Sequence, residues 1–112
     1  MRYMRVTAYD IVKGTFAELS GLAENGILPL LRKAPGFVDY GLVDAGRKTV
    51  VAISIWETRE EAQKSTRVAA KWIKDNFADR VRLVTTYVGD LALSHSVRVR
   101  GLSEALLARA TA

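Results

Sequence analysis

One arrangement occurs twice in this chain and restricts what it can fold into. Residues 2–12, RYMRVTAYDIV, are rich in β-branched and aromatic types and predict a strand. They lead into Thr15-Phe16-Ala17-Glu18, where a threonine hydroxyl can cap a helix start and the glutamate three residues on can reach back. Residues 49–57, TVVAISIWE, predict a second strand and lead into Thr58-Arg59-Glu60-Glu61, the same device. The first helix is expected over about 15–33, with Phe16, Leu19, Ala23, Ile27, Leu30 and Leu31 at helical spacing. Gly26 and Pro29 predict a kink or restart near Gly26, and Ala34-Pro35-Gly36 a stop. The second helix, 59–77, carries Ala62, Ala69, Ile73 and Phe77 inward, with Trp72 and Asn76 on or beside that stripe.

A further strand follows each helix, at 37–44 and from 81 to about 93, and Asp44-Ala45-Gly46-Arg47 is expected to turn the chain between the middle strands. The order is βαββαβ. Two right-handed βαβ units joined by a hairpin form a ferredoxin-like α+β sandwich, a four-stranded antiparallel sheet with two helices on one face. That domain takes residues 1–93. Residues 94–112 form a C-terminal extension with a short helix expected over 103–110, its Val97, Val99, Leu102, Leu106 and Leu107 suggesting that it docks.

The strand at 49–57 bears on assembly. Val51, Ile53 and Ile55 form one face and Val50, Ala52, Ser54 and Trp56 the other, and both are largely apolar. Two helices cover one face, so the other needs a further layer, most simply a second copy packed sheet to sheet as a homodimer. The bulkier Ile53 set is expected on the helices and the smaller Ala52 set on the partner.

Composition excludes several chemistries. The chain has 112 residues, 49% of them apolar, which suits one globular domain. With no cysteine and one histidine, His95, read as a surface residue, it offers no disulfide, no thiol nucleophile and no metal site, and no cofactor is expected. The net charge is +5, yet most basic residues lie near an acidic one, as Lys71 and Lys74 do beside Asp75. Strand 49–57 lacks the base-stacking aromatics of an RNA-recognition motif, and no glycine-rich phosphate loop occurs, so nucleic acid is not an expected partner. MRYMRVTAYD is no signal peptide, no stretch of about 18 apolar residues could span a membrane, and a cytoplasmic location is the expectation.

Ile27-Leu28-Pro29-Leu30-Leu31, then Ala34-Pro35-Gly36-Phe37, VVAISIWETREEA and Ala69-Ala70-Lys71-Trp72-Ile73 resemble the antibiotic biosynthesis monooxygenase (ABM) domain of the dimeric α+β barrel superfamily, over residues 1–93. The resemblance implies a ferredoxin-like subunit whose sheet packs on a twin, with a pocket between sheet and helices. Some members oxidise aromatic polyketides to quinones without metal or flavin; others degrade heme, using a first-strand Asn and a second-helix Trp and His. Here Thr7 stands at the Asn position and Asn76 near the His position, and the second helix holds no histidine, which argues against heme.

Oxidation of a phenol without a cofactor needs an apolar pocket, a group to take a proton and polar groups to hold the resulting anion. Asn76 and Trp72 are the candidate catalytic residues, and Tyr9, Thr7, Arg5, Tyr40, Arg67 and Tyr87 the candidate substrate-binding ones. Five of them have a plainer alternative: Asn76 as a helix-end cap, Trp72 as core, Tyr9 and Tyr87 as sheet packing between neighbouring strands, Arg5 as a rim charge. Two functions stay open. One is a cofactor-independent monooxygenase acting on a small aromatic or quinol substrate. The other is a non-catalytic dimeric module that binds a small apolar ligand or has a stress-related structural role.

Overall fold

The computed structural model describes residues 1–95. The helix expected at 103–110 and the docking of the extension fall outside the described residues. The elements run β1 (Tyr3–Ile11), α1 (Phe16–Asn25), α2 (Ile27–Lys33), β2 (Phe37–Gly46), β3 (Thr49–Trp56), α3 (Arg59–Phe77) and β4 (Val81–Asp90). All strand pairings are antiparallel in the order β2-β3-β1-β4, the ferredoxin-like α+β topology.

Both predicted helix starts form. Thr15 and Thr58 are extended, and each hydroxyl oxygen accepts a hydrogen bond from the backbone N–H three residues on, at 3.2 Å. The glutamates close the motif differently from the expected box. Glu18 and Glu61 accept from the threonine hydroxyls, at 3.3 and 3.0 Å, placing a carboxylate at the positive end of each helix.

The predicted break lies at Gly26, which separates α1 from α2 and lets Pro29 fall in the first turn of a new helix. A side chain at Gly26 would collide with the indole of Trp72. Glycine therefore lets the α1–α2 corner approach α3 closely. Leu19, Ala23, Ile27 and Leu31 are buried as the periodicity requires, each larger one contributing about 2 kcal/mol by leaving water. Leu30 is instead exposed, because α2 restarts with its own phase.

The hairpin turn sits two residues beyond the expected one. Gly46 pairs with Thr49, so the loop is Arg47-Lys48, with φ of 50° and 60°, and Ala45 bulges from the ladder. A two-residue loop with positive φ at both centres matches the right-handed strand twist. Arg and Lys sit poorly there. Arg47→Asn with Lys48→Gly should stabilise the fold by about 1 kcal/mol, read as a rise in Tm of roughly 4 °C. An unchanged Tm would show the turn to be unstrained.

The face assignment is reversed from expectation. Tyr3 pairs with Trp56, Arg5 with Ser54, Thr7 with Ala52 and Tyr9 with Val50, and this set meets the helices. Trp56 packs edge-on against Phe37 with ring centroids 5.5 Å apart, in a core with Ile27, Leu31 and Ala62. The Ile53 set, with Met4, Val6 and Ala8 beside it on β1, faces away. The summed bulk of the set did not decide the matter; Trp56 at its end, with Tyr3 beside it on β1, did.

Candidate functional site

Between sheet and helices the packing thins. The centre of the inner sheet face carries Thr7, Ala52 and Ser54, and the helices present Ala23, Ser65 and Ala69 to it. Larger side chains close the ends, Trp56 and Leu31 at one and Leu19 and Phe77 at the other. Small residues on both layers leave a cavity of about 70 Å³. Such a volume has room for about five water molecules.

Its polar groups converge from neighbouring strands. Arg5 on β1, Ser54 on β3 and Tyr40 on β2 form one row across the sheet, and Tyr9 lies two rows further along β1. All four line the cavity. Burial raises the phenol pKa of Tyr40 to about 12, and the nearby Tyr9 adds to the rise. Burial also raises that of Tyr9, against the opposing pull of the Arg5 guanidinium. At neutral pH the site therefore offers two protonated phenols and a guanidinium, all hydrogen-bond donors. Thr7 is almost wholly buried, its hydroxyl 3.4 Å from the donating hydroxyl of Thr86 on β4. The hydroxyls of Ser65 and Thr66 both donate to the Ala62 carbonyl, at 2.8 and 2.9 Å, which commits their protons to α3. Among the described residues, no carboxylate or imidazole lines the cavity.

Of the eight residues singled out from the sequence, Arg5, Thr7, Tyr9, Tyr40 and Trp72 meet here. Trp72 forms part of the wall and packs edge-on against Phe77 at 4.7 Å. The other three lie elsewhere. Asn76 is exposed in the last turn of α3, where Phe77 and Ile73 already close the cavity, and its amide donates to the Trp72 carbonyl at 2.9 Å. Its position on the apolar stripe is offset by that exposed helix end, where the amide folds back onto a carbonyl one turn earlier. Tyr87 pairs with Val6, so it projects from the sheet face opposite Tyr9 and is 69% exposed. Arg67 is exposed on α3 and lines a separate cleft beside the cavity.

Ser54, Ser65 and Thr66 were missed. The run Ala62, Ser65, Ala69 at helical spacing was the available signal, since small side chains on an inward stripe leave room instead of filling it. Asn76→Ala should leave ligand binding unchanged and lower stability by about 0.5 kcal/mol, measured by paired titration and melting. Lost binding with an unchanged melt would return Asn76 to the site.

No protein-family model matches the chain, and no curated protein matches it. Solved structures do. A mutant of SnoaB, a cofactor-independent oxygenase from Streptomyces nogalater, superposes with a TM-score of 0.68 at 13% identity, covering 83% of this chain and 95% of that one. A candidate antibiotic biosynthesis monooxygenase from Chloroflexus aurantiacus gives 0.66 at 12% identity, over 88% and 100% of the two chains. A dimeric ferredoxin-like protein from an uncultured marine organism gives 0.65 at 14% identity, over 88% and 100%. The shared property is the ferredoxin-like α+β fold.

Proposed function

We propose that this chain, with its ABM-like fold, is a cofactor-independent monooxygenase acting on a small aromatic or quinol-type substrate. The observation that carries the reading is an apolar cavity lined by Arg5, Tyr9 and Tyr40, three side chains that bear hydrogen-bond donors. A phenol ionises more readily where a guanidinium faces it and protonated phenols can donate to the oxyanion. The electron-rich anion then reacts with dioxygen at its activated ring methylene. The balance is simple: a methylene plus dioxygen gives a ketone plus water, four electrons passing from carbon to oxygen. Among the described residues no carboxylate or imidazole lines the wall, and in this reading the substrate proton leaves through water.

The assembly we propose is a homodimer formed by the outer sheet face. Val6, Val51, Ile53, Ile55 and the exposed Val43 and Tyr87 share that face, more apolar surface than a free sheet normally shows to water. One of the similar structures is dimeric. A cytoplasmic location is part of the same proposal; no helix among the described residues is long and apolar enough to cross a membrane. Those residues contain no group of three His, Cys, Asp or Glu side chains that could hold a metal.

Oxygen uptake with anthrone, which carries the ring methylene that the step oxidises, tests the activity. Uptake should exceed the spontaneous rate, and Tyr40→Phe should lower kcat/KM by at least about tenfold through loss of one donor. Ala69→Leu should fill the cavity and abolish turnover. The missing base favours one other reading, a non-catalytic binder of the same ligands. Binding without turnover would select it.

A further inference from the structure

The cleft beside the cavity runs between α3 and the β1–β4 side of the sheet, where the helices leave β4 uncovered and Val88 is 56% exposed. Its volume is about 500 Å³. Tyr3, Arg5, Gln63, Thr66, Arg67 and Thr86 line it, with no acidic residue among the described ones. Arg5 and Thr66 also line the cavity, so the two spaces meet at these side chains.

Two observations give the cleft a purpose. The cavity, about 70 Å³, is too small for an aromatic ring to lie wholly inside. An apolar cavity known to take benzene measures about 150 Å³. A bound ring must therefore project towards the cleft. In addition, the ion pairs among the described residues are Arg2–Glu57, Lys13–Asp79, Lys71–Asp75 and Arg82–Asp10, and neither Arg5 nor Arg67 belongs to one. Two guanidinium groups thus border one cleft with no ion-pair partner among the described residues. Arg5 is in addition partly buried, so its charge is less screened there than in open water.

We propose that the site takes an aromatic acid, its ring in the cavity and its carboxylate in the cleft between Arg5 and Arg67. A guanidinium is planar and matches a carboxylate in two parallel hydrogen bonds, which a hydroxyl or neutral carbonyl does not reproduce. Arg67 is then a specificity residue acting on the acidic end, outside the chemistry. The proposal rests on the reading of the cavity as a ligand site.

Calorimetric titration of the full chain with 2-naphthoate and with 2-naphthol at neutral pH separates the two claims, because the probes share a ring system and differ in charge. Naphthoate should bind more tightly, and added salt should weaken it alone. Arg67→Gln should weaken naphthoate about fivefold and leave naphthol unchanged, while Arg59→Gln, a charge loss on the same helix outside the cleft, should alter neither. Ala69→Leu should weaken both probes. Equal binding of the two probes, insensitive to Arg67→Gln, would overturn the acid while leaving the cavity as a ligand site. An Arg59→Gln effect as large as that of Arg67→Gln would also overturn it, showing only general surface charge. Naphthoate binding that ignores Ala69→Leu would place the ring elsewhere and refute the proposal. Failure of both probes to bind would overturn the cavity reading together with this one.

Discussion

Trp56→Ala is expected to leave little folded protein. Trp56 is 1% exposed and sits at the junction of β3 with α2 and α3, against Tyr3, Leu31 and Ala62. Truncating a buried tryptophan to alanine costs about 4 kcal/mol, since transfer energy is lost and the cavity left behind collapses only in part. The edge-on pair with Phe37 adds about 1 kcal/mol to the loss. Domains of this size are stable by only about 5–15 kcal/mol, so the remainder is small or nothing. Urea and thermal melts read the effect directly. Lys74→Ala, at an exposed position on α3, is the control and should cost about 0.5 kcal/mol at most. A Trp56→Ala variant that melts within a few degrees of the parent would show that the packing around β3 is looser than described.

Arginine at two adjacent positions of β3 should have opposite outcomes. Ala52 faces the helices, paired with Thr7 and Leu42 on either side, and lines the cavity. An arginine there buries an unpaired charge in the subunit's own interior, so Ala52→Arg should yield almost no folded chain. Ile53 faces outward, paired with Val6 and Gly41. Ile53→Arg should leave the fold intact and break the assembly, since a standard interface buries about 800 Å² per partner and tolerates no bare charge at its centre. Sedimentation should show a folded monomer in place of a dimer. If the parent protein itself sediments as a monomer, the sheet-to-sheet assembly is wrong. If Ile53→Arg unfolds and Ala52→Arg merely dissociates, the face assignment is.

Much of the fold was legible because it is written in local chemistry. Thr15 and Thr58 mark helix starts by satisfying backbone donors within three residues, and Gly26 marks the break because α1 cannot continue through it. Five of the eight candidate site residues line the cavity, four of them on strands where alternation fixes the face once one neighbour is placed. Tyr87 shows the limit. It lies on the strand next to Tyr9, but a register of one residue sends it to the opposite side. Asn76 shows another, since a helical stripe says which way a residue points and not whether anything lies beneath it.

The sequence by itself determined the order of elements, the helix caps, the break at Gly26 and the need to cover both faces of the sheet, all consequences of interactions within a few residues or of simple alternation. Only the tertiary structure decided which face meets the helices. The two faces of β3 are equally apolar, and the choice falls to Trp56 packing with Phe37, Tyr3 and α2, contacts that join residues far apart in the chain. The cavity and its convergence of Arg5, Tyr9 and Tyr40 were decided in the same way. Volume left between two layers depends on what each places opposite the other, and that pairing exists only once the chain is folded.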